Sequence, residues 1–331
     1  SGFKSGFIAL IGRPNTGKST LLNRLLGQKL AIVSNKPQTT RNRILGIKNL
    51  PEGQIVFLDT PGIHHAKSLL NRSLVKTALA TCQEVDGVCF LIEADRPENP
   101  ENEFILETLR DADKTVFLVI NKIDLVPKET LLPTMERFSR RRTFAQIIPV
   151  SALKGDGVDI LVSELLKILP EGPRLFPEEM FTDLPERFLA GELIREKVFR
   201  LTREEIPYAT AVEVEEFKER EEKNLIAIKA TIQVERESQK GVLIGKKGQM
   251  LKEIGRLARE DLEALLVNWL SEILFRVEAE GFAFGWFEDV EVEGGKAAAW
   301  GWGEELDPER HGLKLEVKAP TYHGLRLEER D

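Results

Sequence analysis

The chain has 331 residues, 42% of them hydrophobic and 31% charged, with a formal net charge of −7. That length holds two domains and a small third, the composition is that of a soluble globular protein, and no apolar run reaches the roughly 18–20 residues that span a bilayer. Two cysteines, Cys82 and Cys89, are too few for a disulfide framework and lack zinc spacing, so they read as buried thiols in a reducing cytoplasm.

The charge is unevenly spread. Residues 267–331 carry 7 Lys/Arg against 15 Asp/Glu, and all four tryptophans, whereas residues 1–266 have a net charge of +1. The acidity therefore belongs to the tail and does not exclude nucleic acid as a partner of the rest.

From the N-terminus, FIALIG, QIVFLDTPG, GVCFLIEA, TVFLVINKID and IIPVSA are short apolar runs, several ending in a polar or glycine turn. This is the pattern of buried parallel strands with loops at their C-terminal ends. Helical stretches lie between them, including STLLNRLLG and GVDILVSELLKILP. The latter sets Leu161, Leu165 and Leu166 on one face before the stop signals Pro170 and Gly172. Residues 1–170 thus predict a doubly wound α/β domain, with its ligand at the strand C-termini.

PEGPRLFPEEMFTDLP is proline-rich and predicts a linker over 171–184. A helix (ERFLAGELIREKVFRL), two alternating strands (ATAVEVEEF and LIAIKATIQVER) and a helix–GKKG–helix unit follow.

GRPNTGKS, Gly12 to Ser19, matches the phosphate-loop spacing G-x-x-x-x-G-K-[ST] directly after a strand. Glycines let backbone N–H groups turn inward onto phosphate oxygens, and the following helix adds its positive end. Lys18 is expected to reach the β/γ-phosphates and Ser19 to offer its hydroxyl to Mg²⁺. Asn15, Thr16, Gly17 and Thr20 complete the nucleotide-contacting set. In DTPG, Asp59 is expected to hold Mg²⁺ through water and the Gly62 N–H to contact the γ-phosphate. In NKID (Asn121, Lys122, Ile123, Asp124), the Asp124 carboxylate can accept two N–H bonds from a guanine edge. Adenine lacks that donor pair. SALKG, with Ser151, Ala152 and Leu153, can close over the base. Four motifs in this order, each at a strand end, predict a GTP-specific site. Thr40 in QTTR is a candidate Mg²⁺ ligand and γ-phosphate sensor, with Thr39 the near alternative. Ile63 follows DTPG, where Ras-like enzymes place a water-orienting glutamine, so slow intrinsic turnover is expected. His64 and His65 read as polar surface rather than as bases.

These motifs resemble those of Era-type GTPases, and the similarity continues through LPEGP, FPEEM, LTREEIPYATAVEVEEF and VLIGKKGQMLKEIG to about residue 266. The resemblance implies a GTPase domain followed by a KH-type RNA-binding domain, assigned to residues 185–266. It implies action in small-ribosomal-subunit assembly, with the 3′ end of the rRNA and the 30S subunit as partners and no DNA. It also implies a cytoplasmic location, with peripheral contact at the inner membrane face as an option. Because an asparagine matching Asn15 helps place K⁺ in related GTPases, K⁺ joins GTP/GDP and Mg²⁺ as a candidate cofactor. In the GxxG loop, Gly245 and Gly248 let an RNA backbone approach, and Lys246, Lys247 and Lys252 neutralise phosphate. Lys240, Arg256 and Arg259 extend the basic surface, and Val242, Leu243, Ile244, Leu251 and Ile254 offer an apolar floor for bases.

From about Glu260 the chain instead resembles part of archease, through EDLEALLVNWLSEIL, EGFAFGWFEDVEVEGGK and LRLEE. The shared string DLEALL marks a crossover between two families inside one helix, so residues 267–331 form an atypical acidic tail. That family's acidic metal-site segments have no counterpart here, so no metal site is carried over. Asp307, Glu309, His311 and His323 read as surface or packing residues. Losing the expected last KH strand exposes a sheet edge, for which FEDVEVE and LKLEVKA are candidate partners.

Overall fold

The computed structural model describes residues 2–34, 43–63, 81–110, 114–220, 225–266, 274–279, 282–283 and 312–319. The chain divides into two compact units, Ser1–Leu184 and Pro185–Asp331. Among the described residues no helix is long and apolar enough to cross a membrane.

The first unit is built on a six-stranded sheet of order β2-β3-β1-β4-β5-β6. Its strands are β1 (Lys4–Gly12), β2 (Ile44–Leu50), β3 (Gly53–Asp59), β4 (Gly87–Glu93), β5 (Thr115–Asn121) and β6 (Ile147–Pro149). All neighbours are parallel except β2, which runs antiparallel to β3 at the edge. Every residue of β3 and β4 is buried, which is why their sequences run apolar instead of alternating. The helices are α1 (Lys18–Leu26), α2 (Pro100–Arg110), α3 (Leu131–Arg141) and α4 (Val158–Ile168). In α4 the expected leucine face is widened by Val158 and Val162, both buried. Burial pushes the Cys82 thiol up to about 11 and that of Cys89 higher still, which keeps both unreactive near neutral pH.

The proline-rich stretch after α4 is bound to this unit rather than free of it. Gly172 N donates to Phe3 O (2.9 Å), Ile47 N to Phe181 O (2.8 Å), and Thr182 Oγ1 to Leu45 O (2.7 Å). The fully buried Gln54 holds its middle: Oε1 accepts from Leu175 N (2.8 Å) and Phe176 N (2.9 Å), and Nε2 donates to Phe176 O (2.8 Å). The segment acts as a strap that satisfies exposed groups on the β2 edge.

The second unit comprises α5 (Glu186–Leu201), β7 (Thr210–Arg220), β8 (Leu225–Val234), α6 (Glu237–Ile244), α7 (Gln249–Leu266), β9 (Leu274–Ala279), β10 (Phe282–Ala283) and β11 (Gly312–Ala319). Alternate residues of β8, Ile226, Ile228, Ala230 and Ile232, are buried against Leu193, Ile194 and Val198 of α5 and Leu251, Ile254 and Leu262 of α7. The sheet order is β10-β9-β11-β8-β7. The tail supplies the partner for the β8 edge: β11 pairs antiparallel along its whole length, from Gly312 opposite Gln233 to Ala319 opposite Ile226. That strand contains LKLEVKA, while the other candidate, FEDVEVE, lies outside the described residues. The change of resemblance near residue 266 is therefore not a spatial division, since strands from both sides share one sheet.

Gln54→Leu removes three hydrogen bonds to the strap. We expect a loss of about 2–4 kcal/mol in thermal unfolding and faster tryptic cleavage at the exposed Arg174. Unchanged cleavage would mean that the strap holds without Gln54.

Candidate nucleotide site

The loop between β1 and α1 curls because two of its residues have positive φ, Asn15 at 65° and Gly17 at 92°. A Cβ on Gly17 would collide with Asn121 Nδ2, and one on Gly12 would meet Leu91 O at 2.6 Å. Both glycines are thus fixed by close approach from the neighbouring strands. Lys18 lies buried across the loop and donates to Gly12 O and Arg13 O, each at 3.0 Å. Thr16 Oγ1 closes the turn on Arg13 O at 3.0 Å. Thr20 lies in the first turn of α1.

Asp59, at the end of β3, is fully buried beside Lys18 and Ser19. Ser19 Oγ donates to Asp59 Oδ2 at 2.6 Å, whereas Asp59 Oδ1 is buried with no hydrogen-bond partner. Burial disfavours both charges, raising Asp59 to about 6 and lowering Lys18 to about 8, and each charge partly offsets the shift of the other. A serine hydroxyl beside an orphaned carboxylate oxygen is a hard, all-oxygen donor set, which fits Mg²⁺. Gly62 packs against the loop, where an added Cβ would meet Pro14 N at 2.6 Å. Ile63 donates its N–H to Gly12 O at 3.0 Å, and its side chain is fully buried in the core. That side chain cannot orient a water. Thr39, Thr40, His64 and His65 lie outside the described residues.

At the end of β5, Asn121 joins three loops. Its Nδ2 donates to Thr16 O (2.8 Å) and its Oδ1 accepts from Ala152 N (3.0 Å). Ser151 Oγ donates to Asp124 Oδ1 at 2.6 Å and accepts from Lys154 N at 3.1 Å, which fixes the carboxylate against the SALKG loop. Lys122 takes a left-handed backbone, φ 65°. Two contributors carry no motif and escape sequence reasoning. Arg24 of α1 donates to Ala152 O (3.1 Å) and to Leu153 O, and Glu93 at the end of β4 binds both Arg13 and Lys122.

In the second unit, Gly245-Lys246-Lys247-Gly248 is a tight turn between α6 and α7. Gly245, Lys247 and Gly248 have φ of 70°, 54° and 76°, and Gly248 N donates to Gly245 O at 3.2 Å. Lys246, Lys247 and Lys252 are exposed. The wider basic surface is smaller than expected. Lys240 is buried, while Arg256 pairs with Glu253 and Glu260 and Arg259 pairs with Glu263. Leu243, Leu251 and Ile254 belong to the core, which leaves Val242 as the exposed apolar residue of the proposed floor. Among the described residues no cluster of three His, Cys, Asp or Glu is placed to hold a metal. Asp307, Glu309, His311 and His323 lie outside them.

The model of the 50S ribosome-binding GTPase family matches residues 7–122, and that of the Archease protein family matches residues 241–331. GTPase Era of Geobacter metallireducens is 55% identical over 288 residues, covering 87% of this chain and 95% of the relative. The chain belongs to the Era family of GTPases. Era of Syntrophus aciditrophicus is 57% identical over 273 residues, covering 82% of this chain and 89% of its own. A solved variant of Aquifex aeolicus Era bound to GDP.AlF4⁻ has a TM-score of 0.77 at 47% identity, covering 80% of this chain and 90% of that one. A structure of Era in complex with MgGDPNP and nucleotides 1506–1542 of 16S ribosomal RNA gives the same TM-score, identity and coverage. The archease-family match begins within α6 and runs through α7 to the tail, overlapping the stretch aligned with the Era relative, whose 288 aligned residues reach well past the start of that match.

Asn121→Ala breaks the link between the phosphate loop and the SALKG loop and leaves buried partners unsatisfied. Titration calorimetry should show GDP binding weakened by about 2–3 kcal/mol, roughly 30- to 150-fold. A change below about twofold would make the link dispensable.

Proposed function

We propose that this protein is a GTP-dependent switch that binds the 3′ end of small-subunit rRNA through its GKKG turn during assembly of the 30S subunit. The observation that carries the nucleotide half is the Asp124 carboxylate, fixed by Ser151 and linked through Asn121 to the phosphate loop. Asp124 accepts the N–H pair of guanine, and Lys122, Ser151, Ala152 and Leu153 bound the base. Lys18 neutralises the β/γ-phosphates, with Asn15, Thr16, Gly17 and Thr20 lining the loop. Ser19 and Thr40 would hold Mg²⁺, with Asp59 acting through water, and the cation offsets phosphate charge. Asp59 Oδ1 has a free acceptor for such a water. Gly62 offers its N–H to the γ-phosphate, and Asn15 helps place K⁺. With Ile63 packed in the core, water is positioned by other groups and turnover is slow.

The RNA half is supported by two exposed lysines on a positive-φ turn and by the rRNA bound to the Era relative. The two glycines put no Cβ between the turn and a phosphate, and each lysine displaces a counterion. The domain reading is 1–170 for GTP binding, 185–266 for the KH-type unit and 267–331 for the grafted tail. The protein acts in the cytoplasm, with peripheral contact at the inner membrane face and no role for DNA. The second reading is a GTPase whose RNA unit the graft disables. The observation favouring it is that β8 is paired by β11, a strand from the archease-matching part of the chain.

Lys18→Ala should abolish GDP binding, and retained affinity would contradict the phosphate site. Lys246→Glu with Lys247→Glu changes exposed side chains only. It should lower the slope of log affinity against log salt for a single-stranded rRNA 3′-end oligonucleotide by about 1.4. GTP hydrolysis with no RNA binding in the unaltered protein would favour the disabled reading. Replacing K⁺ with Na⁺ should slow hydrolysis, and Asn15→Ala should erase that difference.

A further inference from the structure

We propose that Glu93 is a positioning residue for guanine-nucleotide binding, clamping the phosphate loop and the base-recognition loop together beside Asn121. This rests on the nucleotide site proposed above. Glu93 is the last residue of β4, the strand lying between β1 and β5. In register it stands opposite Asn121, and Ala94 N donates to Asn121 O at 2.8 Å. Its carboxylate serves one cation with each oxygen: Oε2 accepts from Arg13 Nη2, in the phosphate loop, and Oε1 from Lys122 Nζ, in NKID. The Glu93 side chain is only 7% exposed and that of Arg13 10%. Arg13 Nε is buried with no hydrogen-bond partner.

A glutamate at this position does two things that an apolar or amide residue cannot. It cancels the repulsion between two cations held close together and largely out of water. It also anchors the Nζ of Lys122, whose backbone is left-handed and which lies one residue after Asn121 and two before Asp124. Burial lowers the proton affinity of both cations; Glu101 and Asp95 work against that at Arg13 and Arg96 adds to it, while at Lys122 Asp95 and Asp124 work against it and Arg13 and Arg96 add to it. Without Glu93 the cations would separate, and Lys122 would carry the guanine-reading residues away from the phosphate loop.

The test is GDP titration calorimetry on the full chain carrying Glu93→Gln or Glu93→Asp, beside the unaltered protein and with thermal melts. Gln keeps the shape and loses the charge, whereas Asp keeps the charge and loses a methylene. A clamp predicts GDP binding weakened by about tenfold in Gln and largely rescued in Asp. A packing role predicts the reverse order. Gln within twofold of the unaltered protein, or Asp weaker than Gln, would overturn the proposal. If the Gln variant does not fold, Arg13→Met is compared with Arg13→Met/Glu93→Gln, which buries no unpaired cation at residue 13. Arg13→Met already cuts the clamp, so it should bind GDP about fivefold more weakly than the unaltered protein, with the double variant within about twofold of it; Arg13→Met binding like the unaltered protein, or a further loss of about fivefold in the double variant, would overturn the clamp. Failure of the unaltered protein to bind GDP would instead sink the nucleotide-site reading itself.

Discussion

The site in the first unit depends on one side-chain amide. Asn121 donates to the phosphate loop at Thr16 O and accepts from the base loop at Ala152 N, so loops after β1, β5 and β6 are held as one body. An amide suits the task because it carries a donor and an acceptor in one rigid plane, and both partners are backbone groups buried from water. Gly17 must be a glycine for the same reason, since any Cβ would occupy the amide's place. The sheet supplies the rest of the constraint: fully buried parallel strands leave little freedom to the loops at their ends.

In the second unit the corresponding constraint is the β8 ladder. A strand with its inner face buried cannot leave its outer edge unpaired at no cost. The eight residues of β11 satisfy that edge, although they come from the archease-like part of the chain. DLEALL stays helical, as the last six residues of α7. Leu262 packs into the core and Asp261 binds the buried Lys197 of α5. The first side chain of that string thus makes an ion pair and the second packs into the core, which ties the end of α7 to α5.

How far the sequence predicts these features varies with their chemistry. Motifs at strand ends were legible because phosphate and guanine recognition demand particular groups at particular spacings. The strap was not. Proline-rich composition reads as a linker, and its anchors are backbone groups bound to Gln54, a residue inside an otherwise apolar strand. The apolar floor of the GKKG unit was over-read. Apolar residues flanking a basic turn read equally as a floor for bases or as core, and Leu243, Leu251 and Ile254 are core. Glu93 and Arg24 were missed because a single charged residue at a strand or helix end has no distinguishing pattern. LKLEVKA was recognisable as a strand by alternation, while its choice of β8 as partner depended on which edge the fold left open.

The central claim is that Asp124, held by Ser151, reads guanine. Calorimetric binding of GDP and XDP to the unaltered protein and to Asp124→Asn tests it most directly. An amide at residue 124 can donate to the second carbonyl of xanthine, whereas the carboxylate pairs with the amino group of guanine. The account predicts that the variant loses GDP and gains XDP, a reversal of preference with the rest of the site unchanged. GDP binding retained by Asp124→Asn, with XDP still rejected, would contradict it.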